Sequence, residues 1–132
     1  MANFLNANYA GLAIEQVEMS DLTAVAAALV GLHAAAVITV NNYRDLEGDA
    51  RSGKHTLAVL LGRPATRRIY VAEMLAPYGL LPLLAAQLGW AAVLPLAALP
   101  LALHLVRRFC NEAPGPVFND ILAATAGHQL AF

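Results

Sequence analysis

Leu22–Val40 reads LTAVAAALVGLHAAAVITV, nineteen residues in which His33 is the one strongly polar side chain. At 1.5 Å per residue a helix of that length covers about 28 Å, close to the ~30 Å hydrocarbon thickness of a bilayer. Asp21 stands in front of it as a boundary residue, with Thr23 just inside. A second apolar run, Ile69–Leu88, carries Glu73 near its start and Pro77 and Pro82 within, and Pro64 is placed for a helix's first turn. Those internal prolines predict a kink, tolerable where neighbouring helices resatisfy the backbone. Trp90–Val106 forms a third run, with Pro95, Pro100 and His104. The short Gln87-Leu88-Gly89 connection predicts an antiparallel hairpin between the second and third helices. Pro114-Gly115-Pro116 then turns the chain into a fourth run, Val117–Phe132. The expected fold is all-α, a multi-pass transmembrane bundle of about four helices near 22–42, 65–88, 90–107 and 117–132.

Composition agrees. Hydrophobic residues make up 59% of the 132 and charged residues 13%, about half the ~25% usual in globular proteins. Eight basic side chains nearly balance nine acidic ones, which excludes a basic nucleic-acid-binding module and an acidic disordered tail. A single cysteine, Cys110, forms no internal disulfide and reads as a reduced thiol. Residues 1–20 contain no lysine or arginine and are interrupted by Asn3, Asn6 and Asn8, unlike a signal peptide; they read as an extramembrane lead-in. With three crossings, all eight cations fall in loops 41–68 and 107–116 on one face of the membrane. The positive-inside rule makes that face cytoplasmic, and the expected location is the plasma (inner) membrane.

Nine of the 17 charges lie between Tyr43 and Arg68, and the densest stretch is Asn41–Lys54, NNYRDLEGDARSGK. If the first helix continues through it, Asn41, Asp45 and Asp49 recur every four residues within an arc of about 80°. Carboxylates at i and i+4 repel one another, the more so near low-dielectric surroundings, unless a cation sits between them. A hard divalent ion that keeps waters and bridges to phosphate suits that position, which points to Mg²⁺. Arg44, Arg51 and Lys54 lie close enough to bind phosphate oxygens or to pair with the carboxylates, and Gly53 is placed to end the helix. A mixed-charge loop between membrane helices is equally what a solvated face looks like.

The whole string decides between these readings. Asn41-Asn42-Tyr43-Arg44-Asp45, Asp49, Gly53-Lys54, Thr56-Leu57-Ala58 and Leu61-Gly62 resembles the second aspartate-rich motif of the UbiA-type intramembrane prenyltransferases. Within that superfamily it is most similar to the 1,4-dihydroxy-2-naphthoate polyprenyltransferase branch of menaquinone and phylloquinone biosynthesis. Asn119, Leu122 and Thr125-Ala126 extend the resemblance more loosely into the last helix. The resemblance implies two pseudo-repeated halves, each with an aspartate-rich motif, holding Mg²⁺ against the diphosphate of a polyprenyl donor. It implies that Asp45 and Asp49 ligate the metal, that Asn41, Asn42, Arg44 and Arg51 orient these groups or touch phosphate, and that Lys54 contacts the diphosphate. Its partners would be a polyprenyl diphosphate, an aromatic acceptor and the surrounding lipid bilayer. The 132 residues contain no first aspartate-rich motif. The expectation is therefore the C-terminal part of such an enzyme, inactive alone and completed by an N-terminal half or a companion chain. A membrane transporter fragment and a non-catalytic helical partner are the competing classes. A transporter would carry its carboxylates near the midplane.

Elsewhere the bland readings are preferred. Glu73 is expected to snorkel or to pair with Arg67 or Arg68. His33 is expected to make an inter-helix hydrogen bond, His104 and His128 to pack or sit at an interface, and His55 to belong to the loop. Asn119 and Asp120 read as a helix-terminus cluster, and Trp90 and Tyr78 as interfacial or packing aromatics.

Overall fold

The computed structural model describes residues 21–132, so the lead-in expected at residues 1–20 lies outside the described residues. Helix α1 spans Asp21–Arg51. It carries the apolar run and continues unbroken past residue 42 through the polar stretch, so Asn41, Asp45 and Asp49 do lie on one helical stripe. Its end is a Schellman turn: Gly53 takes φ 74°, its N–H donates to Ala50 O at 3.2 Å, and the Lys54 N–H donates to Asp49 O at 2.9 Å.

Helix α2 spans Leu57–Leu88, starting earlier than the predicted residue 65. Thr56 caps it, its hydroxyl accepting from the Val59 N–H at 3.3 Å. One turn later Gly62 leaves helical geometry at φ 75°, ψ 170°, and the helix restarts with Pro64 in the new first turn, its Thr66 hydroxyl donating to Gly62 O. Gly62 is the one departure from helical φ/ψ within α2; Pro77 and Pro82 stay within it.

The third run divides in two. Gly89, at φ 60°, reverses the chain, and Gly89–Ala98 winds as a 3₁₀ helix before α3 begins at Leu99 and runs to Asn111. Pro95 and Pro100 withhold two backbone donors five residues apart, which disfavours one continuous α-helix over 90–107. Pro100 instead occupies the first turn of α3, where its missing N–H leaves no bond unmade. After the Pro114–Pro116 turn, α4 spans Val117–Ala131.

α1 packs chiefly on α2 and α4, α2 on the 3₁₀ segment, and α3 on α4 and α2. Two cores result. At the polar end of α1 the rings of Tyr43, Tyr70, Phe109 and Phe118 stack with Met74, Leu105 and Ile121, all fully buried. At the other end Leu29, Leu81, Leu84 and Ala92 gather, with Tyr78 and Phe132 against them. Large apolar side chains such as Val30, Ile38, Leu83 and Leu94 face outward, and Trp90 is 78% exposed. Thr23–Arg51 and Gly89–Asn111 are each long and apolar enough to cross a membrane. Outward-facing leucines and valines over such lengths suit hydrocarbon, not water.

Candidate functional site

The Tyr43 ring anchors the site. It is fully buried, 4.6 Å from the Phe109 ring and 5.1 Å from Phe118, so it fixes the polar end of α1 against α3 and α4. The Arg63 guanidinium lies over its face at 4.6 Å and donates to Tyr43 O at 2.9 Å, and Arg67 Nε donates to the phenol oxygen at 2.9 Å. Arg63 also forks onto both carboxylate oxygens of Glu47. The basic start of α2 is thereby drawn against the acidic end of α1. Phe109 in the same aromatic stack brings the Arg107-Arg108 end of α3 to this pole as well.

On that base sits the predicted stripe. Arg44 donates bidentately to Asp45, Nε to Oδ1 at 2.8 Å and Nη2 to Oδ2 at 2.7 Å. Its Nη2 also reaches Asn41 Oδ1 at 2.7 Å, and its Nη1 reaches Asn119 Oδ1 on α4 at 2.8 Å. One turn on, Asp49 is buried, its side chain 10% exposed, and Lys54 Nζ meets its Oδ1 at 2.8 Å while remaining 66% exposed. Asp49's hydrogen bond and charge hold the Lys54 ammonium above its ordinary value of 10.5. Asn42 is half-buried beside Tyr43, and Arg51 stands exposed in the last turn of α1.

Direct bonds thus join Asn41, Arg44 and Asp45 in one group and Asp49 with Lys54 in a second, one turn further along α1. Both carboxylates already have cationic partners, Arg44 on one and Lys54 on the other. Among the described residues no three carboxylate, imidazole or thiol groups converge as a metal site. As donors the two acids suit a divalent ion that takes only one or two carboxylates and completes its shell with phosphate and water. Asp45, with its side chain 41% exposed, is the more open of them.

The sequence reading missed the parts played by Tyr43, Glu47, Arg63, Arg67 and Asn119. Glu47 falls between Asp45 and Asp49, outside the fourfold repeat, and its partner Arg63 is 16 positions away. The one available signal was density: the arginines at 63 and 67 are themselves one turn apart. Asn119 is not merely part of a helix-terminus cluster, since it reaches across to α1.

Other expectations also need correction. Glu73 forms no ion pair with Arg67 or Arg68; it lies towards Thr39 of α1, and its Oε2 is buried without a hydrogen-bond partner. His33 bonds within its own helix, Nδ1 to Leu29 O at 2.8 Å, and stacks on His128 with ring centroids 5.1 Å apart. His128 packs, one of the two places expected for it: it is fully buried and shares a 2.7 Å hydrogen bond with the Tyr78 hydroxyl.

A family model described as the UbiA prenyltransferase family matches residues 4–116. The chain belongs to that family, a class of integral membrane helical proteins. Among curated proteins it is 38% identical over 101 residues to the 1,4-dihydroxy-2-naphthoate octaprenyltransferase of Mycobacterium leprae, covering 76% of this chain and 34% of that one. It is 40% identical over 97 residues to the protein of the same name from Haemophilus influenzae, covering 70% and 31%. The UbiA prenyltransferase domain-containing protein 1 homolog of Drosophila melanogaster is 37% identical over 83 residues, covering 63% and 23%. The chain therefore spans about a quarter to a third of the length of these relatives. No solved structure matches it.

Proposed function

We propose that this chain supplies one half of a prenyltransferase active site, the C-terminal part of the family's domain. The reaction is transfer of a polyprenyl group from an allylic diphosphate to 1,4-dihydroxy-2-naphthoate, in menaquinone or phylloquinone biosynthesis. The observation that carries this reading is the stripe at the polar end of α1. Asp45 and Asp49 stand one turn apart on a membrane helix, each against its own cation, at the pole where the arginines of α2 also gather. The names of the Mycobacterium and Haemophilus relatives support the acceptor.

Asp45 and Asp49 would hold Mg²⁺, which when bound neutralises the departing diphosphate. The chain's own residues prepare the place. Arg44 and Lys54 balance the carboxylates before the ion arrives, and Lys54, the more exposed, is free to turn from Asp49 to a phosphate oxygen. Charge of both signs held on rigid helices favours departure of an anionic leaving group without reorganisation at the moment of reaction. The stripe faces the cytoplasm of a plasma membrane, the side on which the positive-inside rule places all eight cations.

Turnover requires the rest of the family's bundle, on the same polypeptide or on a companion chain, because the described residues provide one aspartate stripe where the paired arrangement calls for two. The test is Mg²⁺-dependent prenylation of 1,4-dihydroxy-2-naphthoate in membranes, with the chain alone and with the remaining part of the bundle supplied. Activity only in the second case, abolished by Asp45→Ala, is expected. Turnover by the chain alone, or activity indifferent to Asp45→Ala, overturns the reading.

A further inference from the structure

Among the described residues, side-chain bonds tie α4 to its neighbours at three places: Thr125 to Tyr70 at 2.8 Å, His128 to Tyr78 at 2.7 Å, and Asn119 to Arg44 at 2.8 Å. The first two involve buried groups, which must find partners wherever they lie. Asn119 is exposed, with water available, and yet its carboxamide oxygen is aimed at a guanidinium 75 positions away. Burial does not account for that bond.

The guanidinium it meets is the one that grips Asp45. Arg44 commits Nε and Nη2 to the two Asp45 oxygens, shares Nη2 with Asn41, and has only Nη1 left to hold its far edge. A guanidinium is planar and rigid, so bonds along three edges fix its plane. Asn41 is on the same helix as Arg44 and moves with it; Asn119 is the partner that attaches the group to a different helix. Without Asn119 the Arg44 guanidinium keeps only partners on its own helix, so it can shift relative to α4 together with the Asp45 carboxylate.

We propose that Asn119 is a positioning residue: from the first turn of α4 it fixes Arg44, and through Arg44 the orientation of Asp45. Its functional consequence rests on the reading of Asp45 as part of a metal–diphosphate site. Partners that orient metal-binding carboxylates typically change metal affinity about 10–100-fold when removed.

The test uses the full chain in lipid nanodiscs. Side-chain NMR of ¹⁵N-labelled arginine, with Arg44 assigned through Arg44→Lys, reads hydrogen exchange at its Nη groups. Isothermal titration with Mg²⁺ and inorganic pyrophosphate reads binding. Asn119→Ala is expected to speed Arg44 Nη exchange about tenfold or more, and to weaken pyrophosphate binding by at least about tenfold. The signals of Arg63 and Arg67 should stay in place, showing that α1 and α2 remain packed. Asn119→Asp, which keeps the acceptor oxygen, is expected to restore slow exchange. Unchanged Arg44 exchange in Asn119→Ala, or exchange in Asn119→Asp as fast as in Asn119→Ala, overturns the proposal. If the unaltered chain takes up no pyrophosphate, Arg44 exchange still decides the role of Asn119, and the failure counts against the prenyl-diphosphate reading alone.

Discussion

Lys54 Nζ lies 2.8 Å from Asp49 Oδ1 because the Schellman turn between them folds the chain back on itself. Gly53 supplies the left-handed residue, the Lys54 N–H caps Asp49's own carbonyl, and the side chains meet as a consequence. One glycine thus both ends α1 and delivers a cation to a buried carboxylate. Gly53→Ala should therefore act twice, through left-handed strain of about 1–2 kcal/mol and through displacement of Lys54. Thermal melting should show the loss, and Gly53→Asn, which tolerates that backbone, should lose less.

The same pair sets a pH dependence. The folded Lys54 ammonium titrates above its ordinary 10.5, so the stability it adds is complete below that value and disappears as pH rises through the folded one. The difference in melting temperature between the unaltered chain and Lys54→Met should be constant from neutral pH to about pH 10, then shrink. A difference that grows with alkalinity would contradict the pairing.

Tyr43 separates packing from polar anchoring. Tyr43→Ala removes a fully buried ring from the aromatic stack and should cost about 3–5 kcal/mol by chemical denaturation. Tyr43→Phe keeps the stack and the surface under Arg63, and loses only the bond from Arg67. That change should cost about 1–2 kcal/mol.

At the opposite pole, Tyr78→Phe leaves His128 Nε2 buried without its partner. Such an orphaned group costs about 1–3 kcal/mol. Prenyl transfer by the completed enzyme should be far less affected than by Asp49→Ala, for which a fall of at least about 100-fold is expected. Measuring stability and turnover for both variants separates scaffold from site.

Much of the fold was legible along the chain. Leu22–Val40 had to be a helix of membrane length, and the fourfold spacing of Asn41, Asp45 and Asp49 had to form a stripe once that helix continued. Gly53 as its terminator followed from residue type alone. The short turn of helix from Leu57 to Gly62 was hidden because Gly62-Arg63-Pro64 reads as the place where a helix begins, and the restart with Pro64 in its first turn is the start that reading gives. The 3₁₀ turns of Gly89–Ala98 were hidden because hydropathy is the same for either winding. Glu73 was misplaced because its depth suggested an arginine partner, while the register of α2 on α1 turned it towards Thr39.

The character of each segment is therefore a local matter: apolar runs, proline-limited helix starts and a periodic acidic stripe all follow from backbone geometry and hydropathy, which neighbouring residues dictate. Which charges meet is not local. Arg44 with Asn119, Arg63 with Glu47 and Arg67 with Tyr43 are 75, 16 and 24 positions apart. Their meeting depends on how far each helix slides and rotates against its neighbours. That register is set by the buried stack of Tyr43, Tyr70, Phe109 and Phe118, whose fit is a property of the assembled bundle and of no single segment.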